Sequence, residues 1–157
     1  PSREDLPSCF SGSKSMLLLV VHLALACAFT GILWYAQIDQ YPMLSLVGRD
    51  ELPNYQKAYD RRTLGPATVL LVADALTGLL LLWIHPEHFP IWVACVNAGL
   101  IVLVWMITWL GCVRCHLKLE CGYDAGVLRR LLRLNLLRTI VMTVRSLLLI
   151  WSVSHLV

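Results

Sequence analysis

Residues 16–36 read MLLLVVHLALACAFTGILWYA, an apolar run of 21 positions interrupted only by His22 and Thr30. A bilayer's hydrocarbon core, roughly 30 Å thick, is crossed by about 20 apolar residues of helix. The run is longer than a signal-peptide core of about 7–15 residues. Within it, Leu23–Cys27 loosely resembles a lipoprotein cleavage site, but Ala24 stands where a leucine-like residue is wanted. The stretch therefore reads as a permanent span.

Three more stretches have the same character. One starts after Pro66, ends near Ile84 and contains Asp74; one covers Ile91–Val113 with Asn97 and Thr108 inside. The last covers Leu136–Val157 and carries Arg138 and Arg145. With 58% hydrophobic and 15% charged residues, the chain lacks the polar surface of a water-soluble domain. The expected fold is all-α: a four-transmembrane-helix bundle over residues 16–157, behind a polar tail of residues 1–15. Ser, Pro and Gly enrich that tail, so it is expected to be poorly ordered without a partner.

Asp124 is a good N-cap, and no proline follows it. A helix from Ala125 to about Ser154 would reach roughly 45 Å at 1.5 Å per residue, longer than a span. Its first turns, Leu128-Arg129-Arg130-Leu131-Leu132-Arg133, form a basic amphipathic extension whose Arg129, Arg130 and Arg133 suit lipid headgroups. Upstream, Leu52–Tyr59 has the look of a short interfacial helix with Pro53 in its first turn.

Basic residues divide unevenly between the connections. Arg49, Lys57, Arg61 and Arg62 lie between spans one and two, and Arg114, Lys118, Arg129, Arg130 and Arg133 between spans three and four. The turn at 85–90 has none. The positive-inside rule puts both basic loops in the cytoplasm and both termini outside. Anionic lipids account for these arginines better than nucleic acid does.

Ionisable residues inside a span usually face the protein interior or a wet cavity. Asp74 lies about 12 Å past Pro66 and Arg145 about 10 Å past Arg138, both counted from the same membrane face. His22 and Asn97 each lie roughly 9 Å in from the other face. Asn135, Arg138, Met142 and Arg145 share one helix face. These depths predict a buried cluster of Asp74, Arg145, His22 and Asn97, with an Asp74–Arg145 ion pair. Such a cluster serves as glue between helices or as a site for a ligand, proton or substrate.

Cys112-Val113-Arg114-Cys115-His116 matches the C-x-x-C-H pattern of haem attachment, with Cys121 five residues on. Haem is attached outside the cytoplasm, whereas nine basic residues place this loop inside, so no covalent haem is expected. Three readings stay open: a dithiol redox pair, a metal site of Cys112, Cys115, His116 and Cys121, or apolar filling by small thiols. The chain has no phosphate-binding glycine loop, H-E-x-x-H or G-x-S-x-G signature. It has no obvious inverted repeat either.

Two segments carry a family resemblance. Trp34-Tyr35-Ala36-Gln37, then Gln40-Tyr41-Pro42-Met43-Leu44 and Tyr55, resembles a W-x-x-Q…Y-P-L-F…Y pattern. His116-Leu117…Leu119…Gly122-Tyr123-Asp124…Arg130-Leu131…Asn135…Arg138-Thr139…Thr143…Arg145 resembles an H-x-x-L-x-x-G-F-D…R-L…N-x-x-R-T…T-x-R ending. Both occur in small bacterial membrane proteins of the DUF1772 or anthrone-oxygenase-like group. The resemblance covers about half the chain and implies four membrane helices, a bacterial inner membrane and no established activity. It makes His116 and Arg145 pattern positions and leaves Cys112 and Cys115 outside the pattern. Relatives often carry histidines after the tyrosine, where this chain has Gln56 and Tyr59, so it implies that chemistry resting on those histidines is lost here.

The leading expectation is an accessory or binding subunit packing against lipids, partner membrane proteins or further copies of itself, with no cofactor. The alternatives are a small oxidoreductase or oxygenase acting on an apolar substrate at Asp74, Arg145 and His22, or thiol, metal or haem chemistry at Cys112-Cys115-His116. An apolar cavity beside Asp74 and Arg145 favours the enzyme, and a filled interior favours the accessory role.

Overall fold

The computed structural model describes the backbone of residues 6–156 and the side chains of residues 12–156. It is an all-α bundle. Helix α1 (Leu6–Tyr35) continues through a π-helical turn (Ala36–Gln40), α2 (Tyr41–Met43) and a 3₁₀ turn (Leu44–Leu46). Helix α3 (Leu52–Leu80) returns, and α4 (Ile91–Ile107) runs through a second π turn (Thr108–Cys112) into α5 (Val113–Leu119). Helix α6 (Ala125–Ser154) closes the bundle. Neighbours in sequence are neighbours in space, and α6 packs back on α1. Four helical units, Gly12–Leu46, Leu52–Leu80, Ile91–Leu119 and Ala125–Ser154, are long and apolar enough to cross a membrane. This is the fold of an integral membrane protein.

The distribution of side chains is what lipid demands. His22, Asn97, Asp74 and Arg145 are buried, while Val69, Val102, Val144 and Leu147 are exposed on the outside. With no water to repel apolar surface, close packing and polar contacts between helices hold such a bundle together. Exposed Trp83, Trp92 and Trp151 gather at the end holding the α3–α4 turn. Asp124 caps α6 as expected, its Oδ1 accepting from Gly126 N at 2.7 Å and Val127 N at 3.1 Å. Leu128 and Leu131 are buried and Arg129, Arg130 and Arg133 exposed, so the first turns of α6 are amphipathic.

Three boundaries differ from the expectation. Residues 6–15 are the first turns of α1 and not an irregular tail; residues 1–5 lie outside the described residues. The short helix at 52–59 forms but runs unbroken into the second span through Pro66. The Pro66 ring removes one N–H, leaving the carbonyl of Arg62 without its helical donor, and the helix continues. Cys112–His116 belongs to the helical rod of the third span and not to a loop, because a π turn carries the ladder across Gly111.

The π turns have a directional effect. In the first, the closing bond runs five residues back from Tyr41 N to Ala36 O, directly before Pro42, which has no N–H to donate. One extra residue in a turn rotates everything after it by about 100° relative to a regular helix. Tyr41 and His116 follow the two π turns and are thereby aimed at each other across the bundle.

Candidate functional site

Halfway along the bundle, Arg145 and Asp74 form a two-pronged ion pair: Nη2 donates to Oδ1 at 2.6 Å and Nη1 to Oδ2 at 2.8 Å. Arg145 Nη1 also donates to Met142 Sδ at 3.2 Å, Nε to Asn97 Oδ1 at 2.7 Å, and Nη2 to His22 Nε2 at 3.0 Å. Since His22 Nε2 accepts, its ring proton sits on Nδ1 and donates to Thr77 Oγ1 at 2.9 Å. Thr77 passes its own hydroxyl proton to Ala73 O at 2.8 Å. The four intramembrane residues singled out in the sequence thus meet on the bundle axis, one from each spanning helix.

Gly78 lets the helices come this close. A Cβ there would lie 2.7 Å from His22 Cε1 and 3.1 Å from Asn97 Nδ2, and would strike Ile101 Cδ1. Asp74 and Arg145 are 1% and 0% exposed, and neither lines a cavity.

The open space lies nearer the basic loops. A cavity of about 1010 Å³ runs between α1, α3 and α4. Its walls are apolar: Leu25, Phe29, Ile32 and Leu33 from α1, Leu70 and Leu71 from α3, Trp105 and Trp109 from α4 and its π turn. Ile32, Leu64, Val69 and Trp109 line it and are also exposed on the outer surface, so it communicates with the flank that faces hydrocarbon. Both π turns contribute, through Ala36, Gln40, Thr108 and Cys112.

One end of the cavity is polar. Tyr41, Tyr59, Asp60, His116 and Arg138 all line it. Tyr41 OH is 3.3 Å from His116 Nε2, and Gln56 Nε2 lies 2.7 Å from His116 Nδ1 while donating to Asp60 Oδ1 at 2.9 Å. Asp60 Oδ1 is 3.3 Å from His116 Nδ1, the Tyr59 ring stacks on His116 at 6.3 Å, and Tyr59 OH donates to Gln40 at 2.9 Å. Gln56 Oε1 and Asp60 Oδ2 are buried without a donor. Asp60 and Leu64 also border a second pocket of about 530 Å³ with Lys57, Arg61 and Glu120.

The cysteine readings change accordingly. Cys112 and Cys115 pack into an apolar cluster with Leu119, Leu128 and Leu131, Cys121 is exposed, and His116 turns to Tyr41, Gln56 and Asp60. The expected metal set of Cys112, Cys115, His116 and Cys121 is therefore not brought together. Among the described residues no group of three His, Cys, Asp or Glu side chains is placed to hold a metal ion. The physical reason is that the His116 ring nitrogens are taken up by Tyr41, Gln56 and Asp60, Cys115 packs in the apolar cluster, and Cys121 lies exposed beyond the end of α5.

Sequence reasoning flagged His116 for its cysteines and Gln56 and Tyr59 as departures from a resemblance, but not as one group. Arg138, Asp60 and Trp105 were not singled out as site residues. Arg138 had a signal, since it shares the inner face of α6 with Arg145. Set against protein-family models, curated proteins and solved structures, the chain matches none.

Proposed function

We propose that this protein is a membrane binding protein that takes a lipophilic molecule with a polar end into the α1–α3–α4 cavity. The cavity carries the reading: its walls are apolar, its mouth is on the lipid-facing flank, and its polar groups gather at one end. At about 1010 Å³ it stands at the top of the range for small-molecule sites. The same reading makes it an accessory component, packing against lipids, partner subunits or further copies through its apolar flanks. Gently purified protein should carry a co-purifying lipophile visible by native mass spectrometry, and Ala67→Trp on the cavity wall should remove it. Protein that purifies empty, or a bound molecule indifferent to Ala67→Trp, would overturn the reading.

In the same proposal the basic loops face the cytoplasm of a bacterial cell and Arg129, Arg130 and Arg133 meet anionic headgroups, which nine loop arginines and lysines support. A single cysteine at Lys118 in an otherwise cysteine-free chain should resist membrane-impermeant labelling in intact cells; its ready labelling would reverse the orientation. Kinship with the anthrone-oxygenase-like group is proposed from the residue pattern between His116 and Arg145.

A second reading, an oxidoreductase or oxygenase acting on the apolar occupant, is favoured by one arrangement. His116 sits between Tyr41 OH and the Gln56–Asp60 pair at the cavity's polar end. Its acid–base groups would then be these, and not Asp74, Arg145 and His22. Conversion of the occupant to a product of altered mass, abolished by His116→Ala with binding retained, would establish it.

A further inference from the structure

Arg138 is a buried cation that forms no ion pair among the described residues. It is 8% exposed and forms part of the cavity wall. Its Nη1 donates to Thr108 Oγ1 at 3.2 Å and its Nη2 to Asn135 Oδ1 at 2.8 Å, both neutral acceptors. Its Nε donates to nothing, and neither does Nε1 of Trp105, which also lines the cavity. The carboxylates within the bundle have other neighbours, Asp74 held by Arg145 and Asp60 held through Oδ1 by Gln56 and His116 while its Oδ2 has no donor. Among the described residues no carboxylate forms an ion pair with Arg138.

A buried guanidinium with no ion-pair partner is an expensive arrangement inside a membrane unless something neutralises it in use. Two buried N–H donors left free among the residues lining one cavity call for an acceptor inside it. Water is a poor candidate for that acceptor, because it supplies no negative charge. Asp60, the buried carboxylate of the same cavity, is held through Oδ1 by Gln56 and His116 and forms no ion pair with Arg138, so a monoanion would give Arg138 a counter-ion of its own. A dianionic phosphate monoester would add a second negative charge close to Asp60.

We propose that the occupant is a single-chain lipophile ending in a carboxylate, a long-chain fatty acid in chemical class. The carboxylate accepts from Arg138 Nε and Trp105 Nε1, and the chain lies along Phe29, Leu70 and Leu71. This rests on the reading of the cavity as a lipophile site and adds the charge of the ligand. Arg62, which also lines the cavity but is exposed, meets the acid at the mouth.

The test uses delipidated protein in a neutral detergent at pH 8, with tritiated palmitate and methyl palmitate as probes of equal chain length. The ester carries no charge for Arg138 to pair with, so palmitate should bind at least about tenfold tighter to the wild type. Arg138→Gln should bring palmitate down to about the affinity of the ester, so that the acid-to-ester ratio falls to near one. Arg138→Lys, which keeps the charge but not the Nε donor, should retain part of the preference. The acid-to-ester ratio on the wild type needs no variant, so a misfolded Arg138→Gln leaves the test intact. Equal binding of acid and ester, both abolished by Ala67→Trp, would overturn the charge inference and leave the lipophile site standing. Binding of neither probe would overturn both.

Discussion

Arg145 and Arg138 lie seven residues apart on one face of α6, and their surroundings could hardly differ more. Arg145 uses all five of its N–H donors, on Asp74 twice, on Asn97, on His22 and on Met142. Arg138 uses two, on neutral oxygens, and faces an open cavity. A buried charge that is fully paired is a structural joint; one that is half-paired beside empty space waits for a partner. The chemistry of the residue is the same in both places, and packing around it separates the roles.

The contrast predicts a large asymmetry in stability. Arg145→Ala or Asp74→Ala alone should each cost roughly 3–5 kcal/mol, because either leaves a charge buried without its counter-ion. The double variant should recover much of that loss. Thermal melts in detergent read the cycle, and strictly additive losses would break the claim that the pair is a joint. Next in size is Gly78→Ala, whose methyl group meets the His22 ring and the Asn97 amide, neither free to swing aside. A loss of about 1–3 kcal/mol is expected from overpacking. Unchanged melting there would mean that the axis is looser than its close approaches imply.

Arg138→Gln should cost about 1 kcal/mol or less without ligand, since removal of its hydrogen bonds is offset by relief of an unpaired charge. A loss as large as that of Arg145→Gln would erase the comparison and make Arg138 a structural residue too. Away from both arginines, Asp124→Ala removes the α6 cap and should cost about 1 kcal/mol. Its effect should leave ligand binding untouched, which sharpens the assignment of any binding loss to Arg138.

The Asp74–Arg145 meeting was legible because helical rise is regular. Counting residues from a shared membrane face gives depth, and opposite charges at equal depth have few other places to go in hydrocarbon. The same count gave His22 and Asn97. It was silent on Gln56, Asp60 and His116, since two π turns and an unbroken passage through Pro66 set their directions, and a residue count assumes regular helices. The C-x-x-C-H spacing drew attention to residue 116 for the wrong partners: its neighbours in space are Tyr41 and Gln56, not the thiols.

What the chain's own pattern determined is the all-α membrane architecture, the span positions, the α6 cap and the depth of each buried charge. These follow from local quantities, namely apolar run length, rise per residue and the hydrogen-bonding needs of a backbone in lipid. The tertiary structure alone decided that one arginine is satisfied and the other is not, and that Arg138 lines a cavity. A cavity is a volume that side chains from α1, α3 and α4 fail to fill, and no single stretch of sequence records what its neighbours leave empty.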